Sequence, residues 1–97
     1  MPVGKTIQQR FYDFCAAHPD VYWRFRGYAY EAKYAGFRRF SAHAIIQRIR
    51  WFHSIDMREG DHFKINDQFA GRFARWLAAV EPQVFGDFFE FRRIKTP

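Results

Sequence analysis

Residues 19–36, PDVYWRFRGYAYEAKYAG, decide the fold because they predict a helix at the centre of the protein. Pro19 suits the first turn of a helix, and Gly36 suits the position just after its end. Apolar side chains recur at helical spacing on two opposite sides. One row is Val21, Phe25, Tyr28, Ala29 and Ala32, and the second row is Trp23, Gly27, Tyr30 and Tyr34. A helix that is apolar all round is usually buried, so the pattern favours a helix packed on two sides.

The second row has an alternative interpretation as an exposed contact face, because Arg26 and Lys33 border it. Aromatic and basic side chains together can stack bases or dock a protein. The same row could form the seam of a homodimer. The candidate partner-contact residues are Trp23, Arg26, Tyr30, Lys33, Tyr34 and Trp51. Trp51 belongs to the next predicted helix.

The neighbouring segments predict further helices. Thr6 and Gln9 have the spacing of a capping box, which begins a helix over residues 7–17. Ser41 is a good N-cap for a helix over residues 42–55, and Asn66 for one over residues 67–80, with Asp67 favourable in its first turn. Residues 82–91 predict a short helix over the core, and residues 63–65 a short strand. The expected fold is all-α, a compact domain of four to five helices with at most a minor two-strand element.

Composition indicates one domain with an ordered core over about residues 6–93. The chain has 97 residues, 48% of them hydrophobic, and 13 Phe against a single Leu, so it is too apolar for a disordered tail. No apolar run is long enough to span a membrane, and the first residues lack a signal core. These features predict a cytoplasmic protein without a membrane partner.

The positive charge is concentrated in the middle of the sequence. The formal net charge is +6, and the whole excess falls within residues 21–50, which hold seven basic residues and only Glu31 as an acidic one. A clustered excess attracts polyanions, so we expect nucleic acid or an acidic host protein as the partner. The alternative is that the charge only keeps the protein in solution.

The motifs of enzymes and of metal sites are missing from the sequence. The four histidines have no zinc-site spacing, the glycines form no phosphate loop, and no Ser–His pair has an orienting third group. Cys15 lies on the apolar side of the first helix, where a small core residue is expected. We therefore expect a binding protein rather than an enzyme, with no catalytic residues, no metal and no cofactor.

The order of helices is compatible with a helix-turn-helix unit of the winged-helix type, in which the fourth helix would lie in the major groove. Its base-reading residues would be Gln68, Arg72 and Arg75, and the phosphate contacts would be Lys64, Arg38, Arg39, Arg48 and Arg50. However, the segment before this helix is longer than the 3–4-residue turn of the motif. The alternative for Arg72 and Arg75 is a solvated face that pairs with Asp67 or Glu81.

Several short motifs also follow one another in a fixed order along the chain. They are HPDVY at residues 18–22, SA at 41–42, IRW at 49–51, FKIN at 63–66, FAR at 73–75, and FFE at 88–90 followed by Arg92. With these motifs the chain resembles a family of small, largely uncharacterised proteins of tailed phages and prophages. The resemblance covers about residues 10–93 and implies a phage-encoded protein acting in the bacterial cytoplasm. The family commonly has a second Asn after Asn66, whereas this chain has Asp67, a carboxylate that disfavours phosphate contact at this turn.

Two functions follow as hypotheses. The first is a phage-encoded nucleic-acid-binding protein of helix-turn-helix character, which would bind double-stranded DNA and could be regulatory. The alternative is a phage protein that binds and inhibits a host or anti-phage defence protein through its basic, aromatic surface.

Overall fold

The structure is a computed structural model that describes residues 4, 6–58, 64–66 and 68–90. Within these residues the chain is mostly helical, with one small parallel sheet of two strands, which confirms the predicted fold class. The elements in chain order are α1 (Ile7–Ala17), α2 (Pro19–Tyr34), β1 (Phe40–Ser41), α3 (Ala42–Trp51), α4 (Phe69–Val80), α5 (Pro82–Phe85) and β2 (Phe89–Glu90).

The first helix begins at the predicted capping box. The backbone N–H of Gln9 donates to the Thr6 hydroxyl over 3.1 Å, and the backbone N–H of Thr6 donates to the Gln9 side chain over 3.0 Å. These two bonds satisfy donors that a helix start leaves without partners. His18 then ends α1 and caps α2, with Pro19 in the first turn, so the two helices follow each other directly.

The end of α2 is fixed by a left-handed glycine. Gly36 has φ +101°, and its N–H donates to the Lys33 carbonyl over 3.1 Å. The N–H of Phe37 donates to the Ala32 carbonyl over 3.2 Å. This pair of bonds is a Schellman motif, which turns the chain toward β1 and satisfies the last carbonyls of the helix.

A cluster of phenylalanine rings joins the helices. Phe25 of α2 stacks on Phe73 of α4, with ring centroids 5.5 Å apart, and both side chains are completely buried. Phe11 of α1 meets Phe73 edge-on at 4.9 Å, and Phe89 of β2 lies 5.5 Å from Phe25. Four elements therefore share one aromatic core, which is how a chain with a single Leu fills its interior.

The expectation that α2 is packed on both sides is wrong. Val21, Phe25 and Ala29 of the first row are completely buried. In the second row, Trp23 remains 63% and Tyr34 83% exposed. Trp and Tyr each carry a polar group beside a large apolar surface, so their rings tolerate solvent without being core residues.

The third helix ends earlier than predicted, at Trp51. A π-helical turn over Phe52–Asp56 continues it, and the N–H of Met57 donates to the Phe52 carbonyl over 2.9 Å. The turn widens the backbone and buries His53. Ser41 caps α3 as predicted, because its hydroxyl accepts from the N–H of Ala44 over 3.1 Å.

The fourth helix begins two residues after the predicted start. The Asn66 side chain accepts from the N–H of Gln68 over 2.9 Å, which is an Asx turn, and α4 starts at Phe69. Asp67 and Phe63 lie outside the described residues, and Lys64 and Ile65 are not in a strand.

The observed strands lie elsewhere in the chain. β1 and β2 pair in parallel, Phe40 with Phe89 and Ser41 with Glu90. The predicted helix over residues 82–91 is therefore only one turn long in the described part of the chain. Among the described residues, no helix combines the length and the apolar character that crossing a membrane requires.

Glycine substitutions test the end of α2. Gly36→Ala should lower the free energy of unfolding by about 1–2 kcal/mol, because an L side chain is strained in the left-handed region. Gly27→Ala is the matched control, since an added Cβ would meet nothing within 4 Å, and it should raise the stability by about 1 kcal/mol. Urea unfolding measures the stability of both variants. Equal effects of the two changes would contradict the left-handed conformation of Gly36.

Candidate nucleic-acid interface

The exposed side of α4 carries the three predicted base-reading residues in one line. Gln68 and Arg75 are exposed and Arg72 is half-buried, whereas Phe69 and Phe73 on the opposite side are buried. The aromatic core thus fixes the rotation of α4 about its axis, and the polar row at i, i+4 and i+7 turns outward. The structure places Arg72 and Arg75 together on this side of α4, with Gln68 at the N-cap position just before the helix.

A groove of about 490 Å³ runs between this side of α4 and α1. It is lined by Gln8, Phe11, Tyr12, Cys15, Arg72, Arg75 and Trp76. An Arg72 guanidinium N–H donates to the Gln8 side-chain oxygen, which ties the two helices together. Tyr12 and Trp76 are 61% and 39% exposed, so aromatic surface lies beside two guanidinium groups.

The contribution of α1 to this groove was not predicted. Gln8, Tyr12 and Cys15 follow each other at i, i+4 and i+7, the spacing that places side chains on one flank of a helix. This spacing is the feature of the sequence from which the contribution of α1 could have been predicted.

The predicted phosphate contacts are distributed over several parts of the fold. Lys64 is exposed just before α4, and Arg38 and Arg39 are exposed in the connector between α2 and β1. Among the described residues, neither Arg38 nor Arg39 forms an ion pair. These three cations are therefore available to a ligand.

Arg48 and Arg50 lie on opposite flanks of α3 and already have intramolecular contacts. The Arg48 guanidinium lies 5.3 Å from the centre of the Tyr28 ring. Arg50 donates to the Ile65 carbonyl over 2.5 Å, so it holds the segment that leads into α4. Both contacts are with neutral groups, so the two guanidinium groups keep their charge while the fold restrains their side chains.

The basic residues of α2 also occupy opposite flanks. Arg24 lies over the Phe52 ring, 3.6 Å from its centre, and 3.8 Å from the Asp20 carboxylate. Arg26, on the other flank, is held by Glu81. The charge excess of residues 21–50 is therefore divided among separate faces and does not form one continuous field.

Glu81 connects the corner between α4 and α5 to α2. Arg26 Nε donates to Glu81 Oε2 over 2.7 Å and Arg26 Nη2 to Oε1 over 3.3 Å, and the Tyr30 hydroxyl donates to the same Oε1. These bonds hold the pKa of Glu81 below its ordinary value and raise the pKa of Tyr30. The alternative that Glu81 pairs with Arg72 or Arg75 is wrong for the described structure, since α2 supplies its partners.

The pH dependence of stability tests this contact. The folded pKa of Glu81 lies below its ordinary value of 4.5, so its stabilisation is complete above 4.5 and is lost as the pH falls through the folded pKa. Glu81→Gln should flatten the loss of stability between about pH 6 and about pH 3 in urea unfolding. Glu90→Gln on β2 is the control. An unchanged pH profile of Glu81→Gln would contradict the role of this carboxylate.

Cys15 is half-buried in the wall of the groove. Burial raises its pKa to about 11, so it is protonated at neutral pH and is a poor nucleophile. In the described part of the chain, no cluster of His, Cys, Asp and Glu side chains could hold a metal ion. The groove therefore offers hydrogen bonds, charge and stacking surfaces to a ligand.

Alkylation measures the state of this thiol. At about pH 8 iodoacetamide should react with folded Cys15 about 100-fold more slowly than with the urea-unfolded chain, because little thiolate forms in the fold. In a Cys15→Ser background, Ala16→Cys provides an exposed neighbour on α1 and should react rapidly in the folded protein. Fast alkylation of folded Cys15 would contradict its burial.

The exposed aromatic residues form a second candidate surface. On α2, Trp23 and Tyr34 are exposed, Tyr30 is half-buried, and the exposed Lys33 places its ammonium 5.3 Å from the Phe88 ring. Trp51 on α3 is 57% exposed. None of these rings lines the groove between α1 and α4, although the Tyr22 ring contacts both Trp23 and Trp76, which does line it.

No family model matches the chain, and no curated protein or solved structure matches it at a significant level. The resemblance to phage proteins therefore stays a prediction.

Proposed function

We propose that the protein binds nucleic acid, with double-stranded DNA as the ligand, through the exposed side of α4, with cations from other parts of the fold as further contacts. The observation that carries the proposal is the outward row of Gln68, Arg72 and Arg75, with buried rings fixing the opposite side of the helix. From Gln68 to Arg75 the helix rises about 10.5 Å, which corresponds to about three base-pair steps of 3.4 Å. The row therefore has the length of a short major-groove contact.

The side chains of this row suit the edges of bases. Gln can form two hydrogen bonds with adenine, and Arg can form two with guanine. Lys64, Arg38 and Arg39 would contact phosphates, which position the protein without reading sequence. In this arrangement α4 acts as the recognition helix of a helix-turn-helix unit, and α3 packs across it as the supporting helix. The resemblance to phage proteins would place this binding in the cytoplasm of an infected bacterium.

Fluorescence anisotropy with labelled duplex DNA tests this function. Binding should be detectable at about 50 mM salt and should weaken steeply as salt is added. Arg38→Ala combined with Arg39→Ala should lower the affinity and reduce the log–log salt slope by about 1.8, because two phosphate contacts are lost. Arg72→Ala combined with Arg75→Ala should lower the affinity and relax the sequence preference, because two base contacts are lost.

The matched control is Arg10→Ala combined with Lys33→Ala, which removes the same charge from other exposed positions. An equal loss in this control would show that only net charge matters, and undetectable binding at about 50 mM salt would refute the proposal. Gln68→Ala should change the sequence preference. An equal loss of affinity for all DNA sequences would show that α4 contacts only the DNA backbone.

A second candidate function is binding to an acidic host or defence protein. The exposed rings of Trp23 and Trp51 favour it, since exposed Trp residues are enriched at the centres of protein interfaces. Affinity capture from a nuclease-treated host lysate tests it. A stoichiometric partner that is lost with Trp23→Ala or Trp51→Ala supports this function, and the absence of any such partner refutes it.

A further inference from the structure

The groove between α1 and α4 combines positive charge with aromatic surface inside a recess. Its lining includes the guanidinium groups of Arg72 and Arg75 and, among the described residues, no carboxylate. Its volume of about 490 Å³ lies within the range of roughly 300–1,000 Å³ that is typical of sites for small ligands. The groove therefore favours a ligand that carries negative charge.

A glycine on α4 sets the position of one of these cations. A Cβ added to Gly71 would lie 3.3 Å from Arg75 Nη2, so the Arg75 guanidinium lies back over the preceding turn of the helix. The Arg72 guanidinium reaches toward α1, where it donates to Gln8. Both cations therefore lie along the groove.

The two partly exposed rings of the groove differ in the surface that they offer. The Trp76 ring packs on the Tyr22 ring, with centroids 4.2 Å apart and an angle of 32°, so one of its faces is covered. The Tyr12 ring is 61% exposed, and its centroid lies 6.3 Å from that of Phe11. Tyr12 therefore offers the larger open surface to a flat group.

A fully paired duplex leaves this recess without a use. In a double helix each base is covered by its neighbours in the stack, so side chains in the major groove reach only the edges of the bases. A base that has left the stack exposes its faces, and proteins bind such bases by stacking aromatic side chains on them. An open tyrosine ring in a cationic recess suits a base of this kind.

We propose that the groove holds one unpaired base of the bound DNA, stacked on the Tyr12 ring, with Gln8 and Arg72 donating to its edge. The amide of Gln8 and the guanidinium of Arg72 supply N–H donors for the ring nitrogen and oxygen acceptors of a base. This inference rests on the proposed function, because α4 must lie against the DNA for the base to reach the groove. It makes duplexes that contain an unpaired nucleotide the preferred ligand, since such a base leaves the stack at the lowest cost.

An acidic protein fits this groove less well than a nucleotide. Carboxylate side chains would satisfy the charge of Arg72 and Arg75 but would leave the Tyr12 ring uncovered. A nucleotide supplies negative charge and a flat ring in one group, which matches both features of the lining.

Fluorescence anisotropy with matched DNA duplexes tests the proposal. At about 50 mM salt, a duplex with a single unpaired adenine should bind at least about tenfold more tightly than the fully paired duplex, because one base gains a stacking partner. A duplex with an abasic nucleotide at the same position keeps the extra phosphate without the base. It should bind like the paired duplex.

Variants of exposed tyrosines assign the preference to the groove. Tyr12→Ala should abolish the preference for the unpaired adenine and leave the affinity for the paired duplex unchanged, which excludes misfolding as the cause. Tyr12→Phe keeps the ring and should retain the preference. Tyr34→Ala, which removes an exposed tyrosine from α2, is the matched control and should retain it as well.

The outcomes separate this inference from the proposed function. Equal affinity for the bulged and the paired duplex would overturn the inference and leave the proposed function intact, whereas undetectable binding of both would refute the two together. Equal binding of the abasic and the adenine bulge, or a preference that survives Tyr12→Ala, would also overturn it. Polyglutamate that displaces the bulged duplex as effectively as unlabelled bulged duplex does would assign the groove to an acidic protein and overturn the inference.

Discussion

The stacked contact between Phe25 and Phe73 is the interaction on which the rest of the structure depends. It joins α2 to α4 in the centre of the core, and the rings of Phe11 and Phe89 close around it. One side of each helix packs into this cluster, and the opposite sides carry exposed residues such as Trp23 and Arg75. The cationic row of α4 and the aromatic row of α2 are therefore two consequences of the same packing.

The local signals of the sequence predicted most helix boundaries. Thr6, Pro19, Gly36 and Ser41 act through hydrogen bonds or backbone angles within a few residues, so their effects can be inferred without the fold. The π-helical turn after Trp51 and the parallel pairing of β1 with β2 depend on contacts between distant segments. No pattern within either segment indicated them.

The candidate sites were predictable to the same extent as the helix boundaries: local spacing could be read from the sequence, and contacts between distant segments could not. Spacing on a single helix identified the row of α4, because helical periodicity decides which side chains share a flank. The contact between Arg26 and Glu81 joins residues 55 positions apart, and its effect is to neutralise a cation that the sequence analysis counted as available. Charge counted along a sequence says how much is present, and only the fold shows which groups remain unpaired.

In the proposed function, α4 and the groove beside α1 form the ligand surface, and the outer side of α2 is not part of it. Backbone amide chemical shifts of the isotope-labelled protein, titrated with a short DNA duplex, test this division most directly. We predict that the perturbed amides fall on α4 and on the groove side of α1, while those of Trp23 and Tyr34 do not move. Perturbations centred on the outer side of α2, or none at all, would contradict it.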